Sequence, residues 1–521
     1  MKSFIQRHAQ QISGVLSGFD RLRLRGTLRW LANPRGLMNY LSVTSVLLKD
    51  FKELAMDCTD QIRRASQAVA VSANRPWKFL NSSNIRKEEL VDRLVEEDRI
   101  QEGLICVLSC TEPCYSYRVG YDRESKRLQL HYGPSKCRHD YFYLQDPQLG
   151  RIHLRLQTWF PFTIQVCLNG RDWLAQQLQA EGIGYRKQDN CLVQVDDFGR
   201  AQALLQEQLR TGWQGMMNRL TKIYHPMHRR LFREYPMPYY WSVDESEWAS
   251  DLIFRSAEDL ARLYPRLVRS AMTDISNADV MRFLGRRMPK HGGLNQNFRG
   301  DLIHHLKTHP QGTRVKHQLN RNTIKMYDKQ VTLLRVETTI NDAQDLKVFR
   351  KAEGKPESIK RWRPMRKGVA DLHRRAKLSQ AANDRYLDKL AAVDDSRTLQ
   401  ELVAPLCQPA QWQGKRVRAL SPLSPEDTKL LQAVSRGEFA IQGFRNKDLR
   451  AILCKATEDP KDLRRQSAAI TRQIRLLRGH GLITKVAKTH RYQLTSQGQA
   501  AITALLQAQQ ANAAQLQKLA A

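Results

Sequence analysis

The sequence predicts a multidomain α+β protein: an antiparallel-sheet core with packed helices, followed by a separate C-terminal domain of helices and one strand pair. Three observations carry this. Residues 103–200 hold a succession of short apolar-alternating segments separated by turn residues. The tracts before and after it repeat apolar residues at helical spacing. After residue 424 the pattern runs helix, helix, helix, strand, strand, helix. At 521 residues the chain has room for about three domains.

Residues 1–102 read as a helical region with one basic strand. IRKEELVDRLVEEDRI places Leu90, Val91, Leu94 and Val95 on one helical face. Phe19 to Leu31 alternates instead, so Leu22 and Leu24 fall on one face and Arg21, Arg23 and Arg25 on the other. Residues 103–225 read as an antiparallel α+β domain, with DRES, GPSK and DPQLG as turns. Residues 226–395 read as a helical region with a strand pair (NTIKMYDK and VTLLRVETTIN) and a basic segment. Within it, REYPMPYYWSVDESEW reads as a loop, because Pro and aromatics crowd it. ASDLIFRSAEDLARLYPRLVRSAM reads as an amphipathic helix. Residues 396–423 read as a linker, and 424–521 as a domain ending in a helix poor in charge.

In that last domain Ser424, Pro425 and Asp427 mark a helix start. The third helix keeps Leu463, Ile470, Ile474 and Leu477 on one face, and Arg464, Arg465, Arg472, Arg475 and Arg478 on the other. Two strands, ITKVAK and HRYQLT, follow. This is the element order of a winged helix-turn-helix. From Lys461 to Arg491 there are nine Lys or Arg residues and one acid, Asp462. Such a helix suits a major groove, with Lys485, Lys488, His490 and Arg491 on the flanking phosphates. The alternative is a protein-contact domain whose arginines only solvate its surface. The last helix, with Lys518 as its only charge after Gly498, invites self-association as a homodimer or else frays.

Charge narrows the function. Lys and Arg number 85 against 52 Asp and Glu, a net charge of +33. Disorder throughout is excluded by the apolar content, and no window has the uninterrupted apolar length of a membrane span. The expected partner is nucleic acid, duplex DNA or structured RNA, and not a membrane. The N-terminal stretch lacks a signal-peptide core, and nine cysteines do not suggest a disulfide framework, so the expectation is a cytoplasmic protein. Cys106, Cys110, Cys114, Cys137 and His139 suit either a zinc site or ordinary core packing. Between Lys347 and Lys377 twelve basic residues face three acids, a net of 12 − 3 = +9. Arg361, Arg363, Arg366 and Lys367 in that segment are candidate phosphate contacts. Tyr115, Tyr117, Tyr141, Tyr143 and Trp159 are candidate base-stacking rings or sheet-packing residues.

The strand pair carries the candidate chemistry. Lys325, Tyr327 and Lys329 share one face of the first strand, and Arg335 and Glu337 share a face of the second. Asp328 and Glu337 on adjacent strands, with Asp20 as a third carboxylate, suit Mg²⁺ or Mn²⁺ orienting a phosphate. Tyr327 is then a candidate nucleophile. The same charges equally suit a structural ion-pair ladder. Glu247 and Asp251, four apart on an expected helix, are a further acidic contribution or a solvated edge.

Three resemblances go with these residues. GHGLITKV…THRYQLTSQG resembles MarR-type winged helices, which implies duplex DNA binding. Tyr327-Asp328-Lys329 followed by Leu334-Arg335-Val336-Glu337 resembles a stretch of rolling-circle replication initiators, where such strands belong to a nicking domain. The combination of FDRLRLRGTL, IKMYDK…LRVETTIN and the C-terminal domain resembles a broad bacterial family linked to mobile elements. The expected function is therefore a DNA-binding, metal-dependent nickase or transposase-like phosphodiester transferase of a mobile or replicating element. The alternatives are a non-catalytic RNA-binding protein of a ribonucleoprotein, and a transcription regulator.

Overall fold

The computed structural model describes residues 1–285, 300–309, 312–352, 354, 357–391, 399–436, 439, 443–486 and 489–510. Strands are β1 Ile12–Leu28, β2 Trp77–Leu80, β3 Gly103–Asp122, β4 Arg127–Asp146, β5 Gly150–Gln157, β6 Ile164–Asn169, β7 Tyr185–Gln188, β8 Cys191–Val195, β9 Tyr239–Phe254, β10 Leu302–His309, β11 Gly312–Leu319, β12 Asn322–Lys329 and β13 Leu333–Ile340. Short pairs follow: β14 Lys347–Arg350 with β15 Arg361–Pro364, β16 Ala410–Trp412 with β17 Lys415–Val417, and β18 Ile483–Lys485 with β19 Tyr492–Leu494. The helices include α1 Phe51–Ser72, α2 Gly170–Ala180, α3 Ala257–Thr273, α4 Asn277–Phe283, α5 Leu372–Leu390, α6 Leu399–Val403, α7 Pro425–Val434, α8 Asn446–Leu453, α9 Pro460–Gly479 and α10 Ser496–Gln510.

The chain forms two compact units, both discontinuous in sequence: residues 14–253 with 332–380, and residues 1–13 and 254–331 with those from 381 on. The expected boundaries at 102 and 225 are not boundaries of these units. In the first unit the sheet order is β13-β9-β1-β6-β5-β4-β3-β2. Thus β1 from the N-terminal region lies between β9 and β6, and β13 beside β9 closes a separation of about ninety residues. The sheet therefore joins strands from segments that were expected to be separate. Leu22, Leu24, Val166, Leu168 and Trp241 fill one core with α1 residues Phe51, Ala55 and Ile62.

The stretch read as a loop, from Tyr239 on, and the start of the helix after it form the single strand β9. Pro236 and Pro238 precede the strand, and its Tyr, Trp and Val residues favour extended backbone. The helix begins only at Ala257, where the Ser256 side chain caps the Asp259 amide. The first half of α5 packs on the unit through Arg375, which donates to the carbonyls of Val243 and Ile340.

In the second unit, β10, β11 and β12 form an antiparallel ladder, of which the sequence had suggested only β12. The C-terminal part has its own core, in which Leu430, Leu449, Ile470, Ile474 and Leu477 pack with Ile502 and Leu505. Its order is α7, α8, α9, β18, β19, α10. The expected linker is not one: it contains α6 and the β16–β17 pair, and Leu406, Val417 and Leu420 belong to this core. Ala501, Ile502 and Leu505 of α10 are buried in the same core. Residues 511–521, including Lys518, lie outside the described residues. Among the described residues no helix is long and apolar enough to cross a membrane.

Candidate metal centre and nucleic-acid interface

Three adjacent strands, β13, β9 and β1, each deliver a carboxylate to one place. One oxygen each from Asp20, Glu247 and Glu337 lies within 4.8 Å of the others, and all three residues are buried. The register explains how. Glu337 stands opposite Ala249, Thr339 opposite Glu247, and Arg335 opposite Asp251, so alternate residues of β13 and β9 share a face. Thr339 Oγ1 donates at 3.3 Å to Glu247 and at 3.4 Å to Glu337.

Guanidinium groups hold the surrounding frame. Arg335 is buried and donates to both oxygens of Asp251 at 2.6 and 2.8 Å, to Asp20 Oδ1 at 2.9 Å and to the Asn190 carbonyl at 3.0 Å. Arg171, from the first turn of α2, pairs with Asp251 at 2.8 Å. The Asn190 amide, in the β7–β8 turn, donates to Asp20 Oδ2 at 3.0 Å. Arg21 bonds Glu247 at 3.0 Å while its side chain stays 47% exposed, which sets it at the solvent margin of the acidic group. Burial pushes the Asp20 carboxyl up, Arg335 pulls it back, and Glu337 adds to the rise. Burial would also raise Asp251, but Arg171 and Arg335 outweigh it and hold that carboxyl low. A cation in place of a proton on Asp20 would relieve the same crowding.

Asp20 and Glu337 were expected to share a metal, and they do approach. The third carboxylate is Glu247, not Asp328. Glu247 was read on a helix and lies on a strand instead. Asp328 sits on β12, where its Oδ1 fills the space a Cβ of Gly312 would occupy, and burial raises its carboxyl. The acidic group contains neither Asp328 nor Tyr327. Lys325, Tyr327 and Lys329 are half-buried on the face expected for them.

The cysteine cluster does not close on a metal. The Cys106, Cys110, Cys114 and Cys137 side chains and His139 share one face of β3 and β4, yet among the described residues only the acidic group brings three ligand atoms together. Cys114 and Cys137 have sulfurs 3.2 Å apart, Cys110 donates to Glu112, and every cysteine is free. Tyr117, Tyr141 and Tyr143 are buried packing residues, Trp159 is half-buried, and Tyr115 is 60% exposed.

The basic candidates divide. On β1, Arg25 pairs with Asp244 and Arg21 with Glu245 and Glu247, so carboxylates of β9 partly neutralise the cationic face; Arg23 stands opposite Cys167. Arg361 and Lys367 are exposed, Arg363 is half-buried, and Arg366 is committed to Asp371 at 3.1 Å. On α9, Arg464, Arg465 and Arg472 are exposed and Arg475 half-exposed, while the opposite face is buried. Arg478 stacks 4.4 Å over Trp412, and Arg491 donates to the Gly443 carbonyl, so both carry packing duties. Lys485 and His490 are exposed; Lys488 lies outside the described residues. Compared with protein-family models, curated proteins and solved structures, the chain matches none.

Proposed function

We propose that this is a nucleic-acid-binding protein of a mobile or replicating element that cleaves or transfers strands at a divalent-cation site made by Asp20, Glu247 and Glu337. The observation that carries the reading is the convergence of three buried carboxylates from three adjacent strands, in a chain of net charge +33. An all-oxygen donor set suits Mg²⁺ or Mn²⁺. Such an ion would polarise a phosphodiester and favour an ionised water. Arg335 holds Asp20 and Asp251 in place, and Arg21, at the solvent margin, is positioned to meet a phosphate. The order of α7 to α10 with β18 and β19 supports a winged helix-turn-helix whose α9 reads duplex DNA through Arg464, Arg465, Arg472 and Arg475.

The test is incubation of supercoiled and single-stranded DNA with the full chain and Mg²⁺ or Mn²⁺. Cation-dependent nicking that is lost in Asp20→Asn and in Glu337→Gln supports the site. Wild-type cleavage that both variants retain refutes it. A second reading, a non-catalytic RNA-binding protein, is favoured by Tyr115, Tyr121 and Tyr132, exposed on the outer half of the β3–β4 hairpin. Nucleic acid that co-purifies and is removed by RNase but not DNase would support that reading.

A further inference from the structure

The β10–β11–β12 ladder has two unlike faces. Val315, His317, Leu319, Ile324 and Met326 are buried. His304 lies 2.7 Å from His317, and His317 lies 3.2 Å from the buried Tyr386 hydroxyl, which fixes the inward side. Alternation therefore turns their neighbours the other way. On that side His305, Lys307, Arg314 and Lys316 line a concavity of about 60 Å³.

The register makes this face electrostatically unfavourable by itself. Lys307 stands opposite Arg314 and Lys316 opposite Lys325. Like charges directly opposite destabilise a strand pair. Other strand cations have carboxylate partners: Arg25 pairs with Asp244, Arg335 with Asp251 and Arg155 with Glu112. Among the described residues no ion pair involves Lys307, Arg314 or Lys316, and the buried Arg314 Nε has no hydrogen-bond partner. Burial, with Lys325, Arg314 and Lys307 adding to it, holds the Lys316 ammonium below the usual lysine range. An anion would relieve every one of these features.

We propose that His305, Lys307, Arg314 and Lys316 form a phosphate cradle that grips the backbone of one nucleic-acid strand. The assignment rests on the nucleic-acid reading above and adds a site remote in sequence from α9. A phosphate offers several oxygens at once to a guanidinium fork and to ammonium groups. The Lys307–Arg314 and His305–Lys316 rows lie two residues apart along the strands, about 7 Å. That spacing lets successive cations follow successive phosphates.

Trace acetylation of the intact chain, mapped by mass spectrometry, tests this. Lys316 should label at lower pH than other lysines, since the neutral amine is the nucleophile. A single-stranded oligonucleotide should then protect it several-fold. Lys485, beside α9, reports on general nucleic-acid binding. Protection of Lys485 without Lys316 refutes the cradle and leaves the wider reading standing; protection of neither refutes both. Equal protection by polyglutamate overturns the phosphate assignment. Equal protection by inorganic phosphate or pyrophosphate at matched phosphate concentration overturns the polynucleotide assignment. The exposed Lys307→Gln variant should lower the salt slope of oligonucleotide binding by about one; an unchanged slope counts against the cradle.

Discussion

Arg335 shows how much can depend on one side chain. Its guanidinium joins Asp20, Asp251 and the Asn190 carbonyl without exposure to solvent. Arg335→Met should cost about 3–5 kcal/mol in urea unfolding, because two carboxylates stay buried without it. Glu112 makes a separate pH prediction. Burial would raise it, but the Tyr141 hydroxyl and Lys87 hold it at about 2 against an ordinary 4.5. On acidification the unfolded chain takes up that proton first, so the contribution is present above pH 4.5 and is lost as pH falls toward 2. Glu112→Gln should flatten stability across that interval, as read by urea midpoints. Of the three acids at the centre, Asp20 and Glu337 were legible in the sequence, because each stands in an alternating strand-like run. Glu247 was obscured because its four-residue spacing from Asp251 also fits a helix, and only pairing with β13 decides between the two.

Among the elements, α2 and α9 make the sharpest predictions. Gly170 opens α2 where the helix meets β1, and a Cβ there would lie 1.7 Å from the Phe19 carbonyl oxygen. Gly170→Ala should cost about 1–3 kcal/mol. Because Phe19 adjoins Asp20, it should also weaken Mn²⁺ binding, which paramagnetic resonance of the free ion would read. The α9 face was readable because its arginines and its apolar residues separate at helical spacing. Arg472→Glu with Arg475→Glu should weaken duplex binding and lower its salt slope by about two. Unchanged affinity in a gel-shift titration would remove α9 from the interface. Strand β9 was hidden because Pro and aromatics mark loops and strand edges alike. β10 and β11 were hidden because their charged alternation mimics a solvated segment.

At the scale of the molecule, the excess of basic residues has two fates. Part of it is spent inside the protein, as Arg171, Arg335 and Arg375 are buried among acids and carbonyls. Part remains at the surface on α9, on β15 and on the ladder face of β10 and β11. Binding of the whole chain to DNA should therefore fall steeply with salt, whereas Mn²⁺ binding at the buried carboxylates should respond weakly, since buried charges are screened less. Parallel salt titrations of the two ligands would separate the surfaces.

The amino-acid order alone settled what is local: where α7 begins, which face of α9 is apolar and which is basic, and that cations predominate. Those properties follow from backbone geometry over a few residues. Only the tertiary structure decided which carboxylates meet and which arginines are consumed, because β9 pairs with β13 across about ninety residues and lies beside β1 across more than two hundred. Pairing at that distance is chosen by the burial of whole strands, which no short window records.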